Sequence, residues 1–505
     1  MTLLTHDEYQ GIAANLSLPV APYFDGKFQH GDGGTFPSIN PANGEILAHI
    51  VETNKAGVDA AVTKAREAFH SGVWSKKHPS ERKQTLIQLV KLIKRNEKEL
   101  AVLESLESGK PIADVATVDI PETIHCIQWH AEAIDKIYGQ VAPTGNDALS
   151  WIVREPLGVV ACVLPWNFPL LMLAWKIGPA LAAGNSLIVK PAEETSMTAL
   201  RIAELATEAG IPDSVLNVLP GSGEVTGQLI GLHNDIDMVS FTGSTETGKR
   251  FLCYSGESNL KKVTLECGGK NPCLVMDTVE SIDTAAQHIV NGAFWNMGEN
   301  CSANSRLLVH EDVADELVNK IQHRLREWPT GHPLDPANRL GAMVSENHHN
   351  NVLSFIDEAI AAGADVLTGG KSIAMDGGFF IEPTILVNVS PDMRIAKDEV
   401  FGPVLTVTKI NSEEQAIAIA NDSCYGLTAS VFTSNVRQAH RMAANLSVGT
   451  VTINSYGEGD ITTPFGGFKQ SGFGGRDNSI HAHDQYTELK TVWLDLSDHE
   501  QEALD

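Results

Sequence analysis

The chain has 505 residues, more than one hydrophobic core usually serves, so two or more domains are expected. Its 63 acidic and 37 basic residues leave a formal charge of −26, which repels a phosphate backbone and excludes nucleic acid as a partner. Ordinary usage of glycine (43) and proline (23) excludes a fibrous or wholly disordered chain.

The N-terminal residues MTLLTHDEYQG lack a basic region ahead of an apolar run, so no secretory signal is expected. PYFDGKF and TFPSINPANGEILAHI predict short strands and turns within and just past the first forty residues. Helices are expected from Asn54 to Gly109, where the run RKQTLIQLVKLIKRNEKELAVLESLESG keeps helical spacing and stops at glycine. Pro121 to Tyr138 is another helix, with Trp129 packing. The most apolar stretch, Gly158 to Ala183, is interrupted by Pro165, Asn167, Pro169, Lys176 and Pro179. It reads as a buried strand, a turn and a helix, not as a membrane span.

From residue 151 to 270 strand and helix patterns alternate: LGVVACVLP, NSLIVKP, VLNVLP and MVSFTG as strands, with helices between them. That period predicts βα units and a largely parallel sheet. A second α/β stretch starts near Cys267, with NPCLVM, SRLLVH, ADVLTGG and VLTVTKI as strands. The tail YTELKTVWLDLS reads as an edge strand able to pair with another element or subunit. Seven cysteines without paired spacing read as reduced thiols of a cytoplasmic protein.

Several residues can carry chemistry. Cys301, in NMGENCSANSR, sits in a polar turn where a thiolate can attack a carbonyl carbon and hydride can then leave for a nicotinamide. Cys267 is its local rival. Glu266, beside Gly268 and Gly269, can activate water or serve in a surface ion pair. Asn167, between two prolines in LPWNFP, can donate to an oxyanion or stabilise a turn. Lys190 and Glu193 leave the end of a strand, where a doubly wound sheet places its ligands. A carboxylate there suits the ribose diol of NAD and opposes the 2′-phosphate of NADP. Gly221, Gly223 and Gly227 imitate a dinucleotide fingerprint only loosely. Gly243 and Ser244 can open a helix whose N–H groups face a pyrophosphate. The histidines, including His348 and His349 and the pair His481 and His483, lack a metal-ligand pattern, so no metal is expected.

Together these segments resemble the aldehyde dehydrogenase superfamily over nearly the whole chain: PWNFP at 165–169, KPAEET at 190–195, FTGSTETG at 241–248, LECGGKNP at 265–272, GENCSANSR at 298–306, EVFGPV at 399–404 and PFGGFKQSG at 464–472. The resemblance implies Cys301 as nucleophile, Glu266 as general base, Asn167 with the Cys301 N–H as oxyanion hole, and Lys176 in proton relay. It implies Trp166, Lys190, Glu193, Gly223, Gly243, Ser244, Glu399 and Phe401 as contacts to NAD. It further implies a Rossmann-type cofactor domain at 1–134 and 153–265 and an α/β catalytic domain at 266–465. A small β oligomerisation arm with the tail, 135–152 and 466–505, would serve a homodimer or homotetramer. Two departures stand out. Glu299 replaces a frequent Gln and would alter local charge if it faces the thiolate. Cys267 replaces Leu or Ala and could act as a decoy thiol.

WHAEAIDKIYG at 129–139, GHPLDP at 331–336, HNDIDMVSFTGST at 233–245 and SYGEGDITTPFGGFKQSG at 455–472 are most similar to gamma-glutamyl-gamma-aminobutyraldehyde dehydrogenases of putrescine degradation. They imply an aminoaldehyde substrate, with betaine aldehyde or broad aliphatic aldehydes as alternatives. Met172 and Trp175, three apart on a helix, would form an apolar channel wall, with Phe168 joining them if its backbone is helical. The acids Asp119 and Glu122, and Glu458 and Asp460, would rim its mouth and draw a distal ammonium.

Overall fold

Runs of buried β-branched residues bounded by glycine and proline become the parallel strands of two sheets. The structure is a computed structural model and describes residues 2–30 and 33–497. In the first sheet the parallel strands lie in the order Leu216–Val218, Ser186–Lys190, Val159–Val163, Met238–Gly243, Lys262–Cys267. Short antiparallel strands close both edges, Tyr23–Phe24 with Lys27–Phe28 on one side and Gly472–Phe473 on the other. The chain runs outward from Val159–Val163 in both directions. The crevice beyond its C-terminal end, beside Met238–Gly243, is therefore the switch point where such sheets bind ligands.

The second sheet has seven strands. Arg306–His310 is central, flanked by Val404–Ile410 and Pro272–Val275, and all but the edge strand Asp365–Thr368 run parallel. A separate antiparallel sheet joins Gln140–Ala142, Ala148–Pro156 and Thr487–Asp495. The tail thus pairs within its own chain, and the central arm strand runs on to Pro156, past the boundary at 152 read from sequence. Residues 472–473 likewise belong to the first sheet and not to the arm.

The helix Pro169–Ala183 packs between the first sheet and the helices Pro79–Arg95 and Ile120–Ala133, buried along its whole length except Ala183. Proline at its first position lacks the N–H that would go unbonded there, and Gly184 ends it in the left-handed conformation, φ +105°. Leu170, Leu173 and Leu181 are each at most 2% exposed, and each buried leucine stabilises the fold by roughly 1.5–3 kcal/mol. Gly178 lets the helix Ile120–Ala133 come close, since a Cβ there would stand 3.1 Å from the His130 ring.

Three sequence expectations change. The long helical run is two helices, Pro79–Arg95 and Glu97–Ser108, because Asn96 leaves helical geometry at φ −102°, ψ 16°. The N-terminus holds a helix, His6–Ala13, started by a capping box between Thr5 and Glu8. GSGEVTG begins as a π-turn, Gly223–Gly227, capped by Ser222. Among the described residues no helix is long and apolar enough to cross a membrane.

Candidate active site

Two connected clefts lie at the switch point. A cavity of about 220 Å³ is walled by Asn167, Met172, Trp175, Glu266, Cys301 and Glu399, among others. A more open cleft of about 570 Å³ runs from it to Lys190, Glu193 and Gly223. Pro165, Trp166, Thr242, Gly243 and Ser244 line both.

Cys301 follows a turn in which Asn296 and Met297 adopt left-handed φ values of 54° and 57°. Asn296 is fully buried and donates to the carbonyls of Glu299 and Asn167 at 2.9 and 3.2 Å, which holds the turn closed. Asn271 donates to the Cys301 carbonyl at 2.7 Å. The thiol is half-buried, whereas Cys267 is 4% exposed, though it also touches the cavity. Burial, then Glu458, Glu399 and Glu266, push the Cys301 thiol well above its usual range. No cation is among the groups acting most strongly on it, so burial and these acids favour the thiol over the thiolate. All seven cysteines are free.

Asn167, 5% exposed, donates to the Glu299 carbonyl at 3.0 Å, so its amide is fixed and one N–H remains for the cavity. Glu266 ends the strand Lys262–Cys267 and is 8% exposed. One carboxyl oxygen has no protein partner. The other lies against Gly466, where a Cβ would come within 2.7 Å. Burial and Asp477 raise its carboxyl well above the usual range. Lys176, 1% exposed, donates to Ser240 at 3.1 Å and stands 3.6 Å from Asp477, whose side chain reaches the same cavity.

Glu399 accepts from the Gly269 N–H at 2.9 Å, and burial raises it to about 7. A Cβ at position 268 would overlap the Glu399 carboxylate at 1.8 Å, so any larger residue there would displace that carboxylate. Phe401, at φ +57°, meets Trp166 edge to face at 5.2 Å. At the far end of the longer cleft Glu193 accepts from the Gly223 N–H and stands 3.6 Å from the Lys190 ammonium. Ser244 caps the helix Thr245–Glu257, whose N-terminus opens on this cleft. The donor set suits a dinucleotide end to end: carboxylates for ribose hydroxyls at both ends, helix N–H groups between them, and aromatic faces near the thiol.

The structure brings Met172 and Trp175 to the cavity wall, with Phe465 5.3 Å from Trp175. Phe168 stays behind that wall. Its backbone is not helical (φ −140°, ψ 70°), and its ring packs on Trp295 under the Lys110 ammonium. Asp119 is no rim acid, being fully buried and ion-paired to Lys110. Glu299 turns away from the thiol, accepting from the Val344 N–H at 3.2 Å, and burial pushes its carboxyl well above the usual range. His348 packs beneath the aromatic pair, bonded to the Phe401 carbonyl at 2.7 Å, and burial lowers it to about 4. Asp477 and His348 were not legible in sequence, for neither lies in a pattern of its own. Phe465 lay in PFGGFKQSG, already singled out.

Residues 28–492 match the aldehyde dehydrogenase family. The chain is 56% identical to an aminoacetaldehyde dehydrogenase of Pseudomonas aeruginosa, over 98% of this chain and 99% of that one. It superposes on a gamma-glutamyl-gamma-aminobutyraldehyde dehydrogenase of Burkholderia cenocepacia with TM-score 0.96 at 46% identity, covering 98% and 100% of the two chains. An indole-3-acetaldehyde dehydrogenase of P. syringae, solved with NAD+, gives TM-score 0.96 at 47% identity over 98% and 100%.

Proposed function

The chain belongs to the aldehyde dehydrogenase family, acting on aldehydes with NAD through a catalytic cysteine, and on that premise we propose that it oxidises an ω-aminoaldehyde to the amino acid with Cys301 as the nucleophile. The observation that carries the substrate reading is the company Cys301 keeps. Glu458 bonds the side chain of the next residue, Ser302, at 2.5 Å. Farther out lies the exposed Asp460, and on the helix Ile120–Ala133 Glu122 stands 3.6 Å from His125. We read Glu458 beside the thiol, with the exposed Glu122 and Asp460 farther out, as an acidic approach to a cavity walled by Met172, Trp175 and Phe465. Gamma-glutamyl-gamma-aminobutyraldehyde or a related aldehyde from polyamine breakdown fits that approach, and the relatives named above support the class.

The Cys301 thiol gives its proton to the Glu266 carboxylate, the thiolate attacks the aldehyde carbon, and the tetrahedral oxyanion falls to the Asn167 amide and the Cys301 N–H. NAD bound along the two clefts supplies the hydride acceptor. Trp166, Lys190, Glu193, Gly223, Gly243, Ser244, Glu399 and Phe401 would hold it, Glu399 and Phe401 at the thiol end. Glu266, with one unpartnered oxygen, takes the proton of the water that hydrolyses the thioester. A carboxyl raised by burial is a stronger base than an exposed one. Lys176 and Asp477 sit behind it and carry the proton onward. The three-stranded sheet serves as the oligomerisation arm of a homodimer or homotetramer in the cytoplasm, beside a cofactor domain and a catalytic domain. The test is kcat/KM for 4-aminobutanal, its gamma-glutamyl conjugate and pentanal at two salt concentrations. A preference for the cation that shrinks with salt is expected. Equal use of all three would leave a general aliphatic aldehyde dehydrogenase.

A further inference from the structure

The loop after the strand Thr450–Ile453 returns to the nucleophile and then enters the core. Ile461, 8% exposed, and Phe465, 3% exposed, pack in the cluster that holds Met172 and Trp175 and touches Cys301. Glu458 stands at the start of this return. Its carboxylate accepts from Ser302 Oγ at 2.5 Å and from the Asn300 side chain, so the residues on both sides of Cys301 grip it. Tyr456 Oη braces the same two side chains, at 2.8 Å from Asn300 and 3.1 Å from Ser302. Of the three carboxylates acting on the thiol, Glu458 acts most strongly, ahead of Glu399 and Glu266. Among the described residues no Lys or Arg forms an ion pair with it, and burial raises its carboxyl, an effect that a neighbouring cation opposes.

A carboxylate offers about four acceptor positions, and two are used here. We propose that the remaining ones form the subsite for the substrate ammonium, and that the closeness of Glu458 to Cys301 selects short aminoaldehydes over long ones. The proposal rests on the aminoaldehyde reading above and fixes where the cation sits. In a two-carbon aminoaldehyde the nitrogen lies about 2.5 Å from the carbonyl carbon, the N–Cα–C span of any amino acid. With the carbon on the thiol, that ammonium falls within reach of a carboxylate held by the neighbouring side chain. Every methylene inserted between carbonyl and nitrogen moves the charge outward, past Glu458 toward Asp460 and Glu122. Those two are exposed and screened, so a longer aldehyde gains less there. Bringing an ammonium beside Glu458 also counters its unfavourable effect on the Cys301 thiolate, so the right substrate aids formation of its own nucleophile.

The experiment compares matched pairs differing only by ammonium for methyl: aminoacetaldehyde with propanal, and 4-aminobutanal with pentanal. Each kcat/KM is measured for the wild type and for Glu458→Gln, which keeps an acceptor for Ser302. The cation-over-methyl ratio of the short pair is expected to fall by roughly tenfold or more in Glu458→Gln, and that of the long pair by much less. Glu458→Asp should recover part of the short-pair ratio. The inference is overturned if both ratios fall alike, if neither falls, or if aminoacetaldehyde and propanal lose the same factor, which would mark Glu458 as a brace for the Cys301 turn. A wild type preferring the uncharged member of both pairs would instead defeat the aminoaldehyde reading itself.

Discussion

The cavity surrounds its nucleophile with carboxyl groups, an arrangement that disfavours a thiolate and favours a base. Cys301→Ala should abolish aldehyde oxidation and leave the NAD dissociation constant within a few fold, because the proposed adenosine-ribose and pyrophosphate contacts line the other cleft. Titration with NAD and mass spectrometry of trapped acyl-enzyme check this, and an acyl group found on Cys267 would refute it. Burial and Glu266 push Cys267 up to about 12, so it is poorly suited to attack. For Glu266 the sign of the pH dependence follows from its raised carboxyl. The base form is ionised, so thioester hydrolysis should climb with pH through a range above that of ordinary carboxylates and then level off. Glu266→Gln should lose that limb, slow steady turnover by at least a hundredfold and keep an initial burst of NADH. An unchanged profile would remove it as the base. At the other end of the cleft, Glu193→Gln should raise the NADP to NAD ratio of kcat/KM. The gain should stay modest, because Glu52 and Glu194 act on the same Lys190 ammonium and still face a 2′-phosphate. A full switch to NADP would mean that Glu193 acts alone.

Among the elements, the helix Pro169–Ala183 decides where the site stands, and its start depends on a buried acid. Glu104 is fully buried and accepts from the Leu170 N–H at 3.1 Å. Burial and the neighbouring Asp119 hold its carboxyl well above the usual range, which favours the uncharged acceptor. Glu104→Gln should then cost little, about 1 kcal/mol, while Glu104→Ala strands a buried N–H and opens a cavity, costing about 3 kcal/mol or more. Urea unfolding of both variants decides it, and equal losses would show that the acceptor does not matter. This helix was legible in sequence because proline, an apolar run and a terminal glycine coincide in it. The βα order was legible for the same reason, since each strand is short, apolar and bounded by turn residues. The break at Asn96 was not, because an asparagine between two helix-forming runs gives no signal until tertiary packing turns the chain. The site shows the same division. Cys301, Glu266 and Asn167 lie in turns with distinctive glycine, proline and polar neighbours. Asp477 and the burial of Asp119 depend on which distant residue meets them, Lys176 in one case and Lys110 in the other.

For the whole molecule, apolar attraction and charge repulsion oppose each other. The edge strand Thr487–Asp495 leaves Leu489 and Trp493 65% and 64% exposed, four residues apart and so on one face. Large apolar side chains standing out together on a sheet edge mark an association surface. A second copy is the occupant the arm suits, yet each copy brings a formal charge of −26. Repulsion at that charge is long-range and screened beyond about 8 Å at physiological salt, whereas the burial of Trp and Leu is not weakened by salt. Association should therefore tighten as salt rises. Light scattering should give two or four times the chain mass at micromolar concentration, and dilution at low salt should dissociate the assembly first. Replacing Leu489 and Trp493 together by glutamate should yield a smaller species at every salt concentration, by removing apolar area and adding like charge. Far-ultraviolet circular dichroism should stay unchanged, since both side chains point away from the core. A wild type that remains monomeric, or a double variant that keeps the wild-type mass, would show that the arm does not hold the copies together.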